Sequence, residues 1–164
     1  MIVLSFTPKR IQWYFGSLLT KFFMAEPKTR PTKASVEKFI DAQEKESVRD
    51  DCHTLVNIMQ SITGHSPVMW GPSIVGFGTW RQKYPSGQEA DWPMLAFSPR
   101  KQNLTIYLVP GFSTKHKDLL KKLGKNKTAV SCLYVKGLEG LHMPTLKKLL
   151  MDSYSTMVKK YGKG

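Results

Sequence analysis

Pro93-Met94-Leu95-Ala96-Phe97-Ser98-Pro99-Arg100-Lys101-Gln102-Asn103-Leu104-Thr105-Ile106-Tyr107-Leu108-Val109 is the stretch that decides the fold. Leu104, Ile106 and Leu108 alternate with Thr105, Tyr107 and Val109, a period of two that sends successive side chains to opposite faces of a sheet. Residues 93–98 read as a second strand, and the run Pro99-Arg100-Lys101-Gln102-Asn103 between them reads as a turn. A link this short leaves no room for a crossover helix, so the two strands pair antiparallel.

The same signals extend outward in both directions. Upstream, residues 74–80 read as a strand holding Gly76 and Gly78, which mark a bulge or a close backbone approach. Residues 84–91, with Pro85, Ser86 and Gly87, read as the hairpin loop that follows it. Residues 67–72 read as a turn-rich lead into that strand. Further upstream, Ser35 is placed to cap a helix carrying Val36, Phe39 and Ile40. Ser47-x-x-Asp50 resembles a capping box for a second helix, whose stripe is Val48, Cys52, Leu55, Val56, Met59 and Ile62 and whose stop is Gly64. Downstream of Pro110-Gly111 comes a short helix with Leu119, Leu120 and Leu123 inward and Gly124 at its end. A strand over 130–135 follows, then a last helix starting near Pro144 and burying Leu146, Leu149, Leu150, Met157 and Val158. The predicted order is α-α-β-β-β-α-β-α. The expected fold class is α+β: a two-layer sandwich in which an antiparallel sheet of four to five strands carries its helices on one face.

The 164 residues suit one domain large enough to be stable without disulfides or metals. A composition of 41% hydrophobic and 23% charged residues is that of a folded chain. Cys52 and Cys132 stand far apart with no metal-ligand spacing, which fits a reducing, cytoplasmic setting. The domain is expected over 34–161. Residues 1–33 read as an extension that is flexible or a mis-assigned start, because Met24-Ala25-Glu26-Pro27 makes a credible beginning for a cytosolic protein. Two other readings of 1–23 compete. One is a secretory signal, disfavoured by Gly16, Ser17, Thr20 and Lys21 and by the lack of a small-x-small cleavage site. The other is an amphipathic helix on a membrane surface. The uncharged stretch is about half of what a bilayer span needs.

Three blocks carry a resemblance to a known family: Val68-Met69-Trp70-Gly71-Pro72-Ser73-Ile74-Val75-Gly76-Phe77-Gly78; Asp91-Trp92-Pro93 with the run from Phe97 to Leu108; and Leu123-Gly124-Lys125-Asn126-Lys127-Thr128 with Ser131-Cys132-Leu133-Tyr134-Val135-Lys136. Over about residues 33–150 the chain resembles the YdhG-like family of small bacterial domains of unknown function. The resemblance implies a two-layer sandwich of the secretion-chaperone-like type. One relative is described as a frataxin-like intracellular iron chaperone, so it also implies Fe(II) delivery as an alternative function. Such delivery needs hard oxygen ligands gathered on a surface. Seven of the twelve acids fall between Glu26 and Asp51, and Asp41, Glu44 and Asp50 are the candidate ligands. Lys33, Lys38, Lys45 and Arg49 are interleaved with them, so a solvated helix face is the competing reading.

The net charge of +13 favours anionic partners. Aromatic and cationic residues flank the predicted strands. Trp70, Trp92, Arg100 and Lys127 are expected to converge on a pocket for a small anionic or planar ligand, joined by Lys101, Ser131 and Lys136. The competing reading makes the tryptophans packing residues and the lysines solvent contacts. Residues 115–164 hold twelve lysines against three acids, so electrostatic nucleic-acid binding is a further alternative, although no nucleic-acid motif is present. Gly124-Lys125-Asn126-Lys127-Thr128 lacks the earlier glycine of a phosphate loop, since position 119 is Leu119, and it follows a helix. Cys132 reads as a buried, inert thiol. His65, His116 and His142 are scattered. No nucleophile or acid–base pair can be assembled, so the expected class is a non-enzymatic binding module.

Overall fold

A computed structural model describes residues 29–162. The readings of residues 1–28 lie outside the described residues. Helices α1 (Val36–Asp41) and α2 (Glu46–Thr63) lead into strands β1 (Val68–Trp70), β2 (Ile74–Lys83), β3 (Glu89–Pro99) and β4 (Leu104–Tyr107). Then come α3 (Phe112–Lys115), α4 (Lys117–Leu123), β5 (Lys127–Thr128), β6 (Cys132–Val135) and α5 (Met143–Tyr161). The strands form one antiparallel six-stranded sheet in the order β1-β2-β3-β4-β6-β5.

The α+β class and the antiparallel meander agree with the sequence. The strand count and element order are corrected: the sheet has six strands rather than four to five, and α3 is an additional helix. β1, β5 and α3 are only three, two and four residues long, too short for a periodic pattern to register. β2 and β3 also run further toward their hairpin than expected. That extension is a polar arm, held by Arg81 on Asp91 through bonds of 2.9 and 3.3 Å and by Lys83 on Glu89 at 3.2 Å, so it shows no apolar alternation.

Helix ends follow the expected chemistry with one exception. Ser35 accepts from the Lys38 amide at 3.2 Å, and Gly64 closes α2 at φ 72°. The Ser47 capping box is not formed: α2 starts one residue earlier, at Glu46, after Lys45, which makes no side-chain cap. Instead Arg49 reaches back to the Gln43 carbonyl at 2.6 Å, tying the start of α2 to the α1–α2 link.

The sheet buries one face against the helices. Val75 and Phe77 of β2, Leu95 and Phe97 of β3, Leu104 and Ile106 of β4, and Leu133 and Val135 of β6 join one core with Cys52, Leu55 and Met59 of α2 and Leu146, Leu149 and Leu150 of α5. Each such fully buried aliphatic or aromatic side chain contributes roughly 1.5–3 kcal/mol by leaving water. Polar ties fix the layers in register. Ser153 of α5 accepts from the Val109 amide at 2.7 Å, and the Tyr154 hydroxyl donates to the Thr63 carbonyl at 3.0 Å. Asp51 of α2 accepts from the Leu138 amide at 3.0 Å, in the loop after β6.

The two strand glycines have separate reasons. Gly78 sits at φ 64°, which only glycine adopts freely. A Cβ on Gly76 would lie 2.6 Å from the Trp70 ring and 2.7 Å from Pro93 Cβ, so the missing side chain is what lets the indole lie flat there. Residues 30–32, read as part of a flexible lead-in, pair along β1: the Thr32 amide donates to the Met69 carbonyl at 2.7 Å and the Gly71 amide to the Arg30 carbonyl at 2.8 Å.

Gly76→Ala is therefore expected to lower stability by about 1–3 kcal/mol, as overpacking does, in urea unfolding; an unchanged midpoint contradicts the close approach. A second expectation concerns pH. Partial burial raises the Asp51 pKa above its ordinary value, with the Leu138 bond opposing the rise. The folded state therefore keeps this proton to a higher pH than the unfolded chain. The stability Asp51 adds is complete below the unfolded-state pKa and is lost as pH rises through the folded-state value. Asp51→Asn should accordingly gain stability relative to the unaltered chain between about pH 4 and pH 7; parallel urea titrations showing a constant difference would contradict this.

Candidate functional site

Because every strand alternates, the residues between the core positions face away from the helices. Cross-strand partners share a face, so the register builds two rows there. One runs Ser98–Thr105–Tyr134–Lys127, the other Gly76–Ala96–Tyr107–Cys132. Near β1 this face is closed by Trp70, which lies over Gly76 and is 1% exposed. Toward β4, β6 and β5 it opens into a concavity of about 480 Å³. Its sheet side is made by Thr105, Tyr107, Cys132 and Tyr134, and its end wall by the turn residues Arg100, Lys101, Gln102 and Asn103.

The turn is held in shape by its own bonds. The Arg100 amide donates to the Asn103 carbonyl at 2.9 Å, and Thr105 Oγ1 donates to Asn103 Oδ1 at 2.8 Å. Lys136 Nζ donates to the Gln102 carbonyl at 3.0 Å, tying the turn to the residue after β6. The Arg100 guanidinium then reaches over the sheet and donates to the Tyr107 hydroxyl at 3.2 Å. A hydrogen bond with Cys132, then the charge of a Cys132 thiolate, raise the Tyr134 pKa above its ordinary phenol value. The lining thus offers two cations, two phenols, a thiol and amide groups, and no carboxylate. Such a surface can accept a negative group at the turn and a flat apolar group on the phenol rings.

The structure sorts the expected pocket residues. Arg100 and Lys101 line the concavity. Lys127 stands beside Tyr134 across the β5–β6 pair, and Lys136 braces the turn. Trp70 does not join them. It is buried at the far side of the sheet, three strand spacings or roughly 14 Å from β4, and borders a separate cleft of about 190 Å³ with His65 and Pro31. Trp92 does not join them either. It lies seven residues before Pro99 on β3, roughly 23 Å along the strand, where its indole donates to the Tyr84 hydroxyl at 3.0 Å and its cross-strand partner Trp80 stacks on Tyr161 at 4.3 Å. Ser131 precedes β6 in a bend, where its carbonyl accepts from the Leu108 amide at 2.8 Å. Trp70 serves packing, the competing reading, and Trp92 is engaged by Tyr84 in the β2–β3 arm.

Cys132 also differs from expectation. It faces the concavity half-buried, because Leu133 and Val135 take the core positions of β6. The inert thiol is Cys52, fully enclosed in the core, where desolvation and then the charge of Asp51 push its pKa up to about 12. Tyr107, Thr105, Gln102 and Asn103 were missed as site residues. The signal for Thr105 and Tyr107 was present in their alternation with Leu104 and Ile106.

The iron ligands are not brought together. Among the described residues no three His, Cys, Asp or Glu side chains are grouped to hold a metal. Asp41 contacts His53 at 3.7 Å, while Glu44 and Asp50 are exposed. The other histidines are likewise dispersed: His65 meets Tyr154 edge-on, His116 lies 3.9 Å from Asp152, and His142 pairs with Thr145 at 2.8 Å. No helix among the described residues is long and apolar enough to cross a membrane. No family model, curated protein or solved structure matches the chain.

Iodoacetamide at about pH 8 is expected to alkylate Cys132 and spare Cys52 in the folded chain. Peptide mass spectrometry reads the outcome, and equal labelling of both thiols contradicts their placement.

Proposed function

We propose that this protein is a non-enzymatic binding module for a small anionic ligand with a planar group, held in the concavity on the sheet face opposite the described helices. The observation that carries the reading is the lining itself. Arg100 and Lys101 present positive charge at a braced turn, beside the rings of Tyr107 and Tyr134, with no lining carboxylate to oppose an anion. An arginine fork matches the geometry of a phosphate or carboxylate, and it is already directed over the sheet by its bond to Tyr107.

Phenyl phosphate, inorganic phosphate and benzoate at millimolar concentration are suitable probes. A ligand at tenfold its dissociation constant stabilises the folded state by about 1.4 kcal/mol, which for a domain of this size raises Tm by roughly 3–6 °C. The expected result is a shift with phenyl phosphate that exceeds the shift with phosphate and disappears in Arg100→Ala. A shift retained in Arg100→Ala, or no shift with any of the three, would sink this reading.

A further inference from the structure

We infer that the natural occupant of this face is a single-stranded nucleic acid, bound with its bases on Tyr107 and Tyr134 and its phosphates on the surrounding cations. The inference rests on the binding site proposed above and names its ligand class. Tyr107 and Tyr134 are diagonal neighbours on adjacent strands, since Tyr107 pairs with Cys132 and Thr105 with Tyr134. Their rings therefore stand on one face of β4 and β6, both partly buried. Two neighbouring, partly exposed aromatic rings on one face of an antiparallel sheet form a stacking platform for unpaired bases, which all have a π-face.

The cations lie on two sides of the platform. Arg100 and Lys101 form the turn wall, and Lys127 stands beyond Tyr134 on β5, the last strand of the sheet. A chain of phosphates can cross from one group to the other while its bases rest on the rings between them. The chain as a whole carries the same sign, a net charge of +13, with eight of the twelve lysines of residues 115–164 placed on α3, α4 and α5 in the helical layer. Two copies of so basic a chain repel each other, which disfavours self-association. A duplex suits the phenols poorly, because its bases are stacked and paired inside. Arg100 is already engaged with Tyr107, and lysine reads bases weakly, so the expected binding tolerates sequence changes.

Fluorescence anisotropy with a labelled ten-residue oligo(dT), an oligo(rU) of equal length and a ten-base-pair duplex tests the inference. Both single strands should bind more tightly than the duplex. Removing a ring with Tyr107→Leu or Tyr134→Leu should weaken single-strand binding by roughly 5- to 150-fold per base stack lost. The logarithm of affinity should fall with the logarithm of salt at a slope of about −2 for three neutralised phosphates. Where a tyrosine variant fails to fold, the unaltered chain supplies the readout: oligo(dT) should slow alkylation of Cys132, which neighbours both tyrosines, at least fivefold. Duplex bound as tightly as single strand, affinity indifferent to the loss of both rings, or Cys132 alkylated at an unchanged rate would each overturn the inference. A phenyl phosphate shift that still depends on Arg100 would in that case leave the small-ligand reading standing.

Discussion

Leu95 and Phe97, Leu104 and Ile106, and Leu133 and Val135 project from three neighbouring strands toward the same pair of helices. Strand geometry permits only two directions, so filling one of them with apolar side chains assigns the other to whatever lies between. Ser98, Thr105, Tyr107, Cys132 and Tyr134 are on the opposite face for that reason. A slip of one residue in β4 or β6 would carry a phenol into the core and an aliphatic core side chain into the concavity. The free face is thus locked by the burial of its reverse side.

That dependence also explains how an open surface keeps a definite shape. The site stands on short strands and a four-residue connection, yet its supports lie in the protected layer. Ser153 and Tyr154 attach α5 to the end of β4 and to α2, and Asp51 holds the loop after β6. On the sheet itself, Lys136 and Asn103 brace the turn that carries Arg100 and Lys101. Each tie is a hydrogen bond of modest net strength. For the ties inside the protected layer, leaving a buried partner unmade would cost more than the bond itself contributes, and this asymmetry makes the arrangement specific.

The tryptophans show why residue type alone is a poor guide to a binding surface. Indole rings near cations resemble a ligand pocket, but Trp70 is consumed by the gap over Gly76 and Trp80 by Tyr161. Large rings close cavities as readily as they line them. The two tyrosines that remain available stand on strands whose opposite faces are already covered. For the acids of the first two helices the outcome is similar: Asp51, adjacent to a proposed iron ligand, is engaged by a backbone amide.

Period-two alternation in residues 104–109, the turn at 99–103 and the stripe of α2 were enough to establish an antiparallel sheet backed by helices, since these signals are local. They also contained the facing of Thr105 and Tyr107. Tertiary structure decided the rest. The two- and three-residue strands β5 and β1 exist because neighbouring strands offer them hydrogen bonds, not through any pattern of their own. Which cations meet which rings depended on strand order, β4 beside β6 and β6 beside β5. Residues thirty positions apart become neighbours only when a ladder is closed between them, and no local preference encodes that closure.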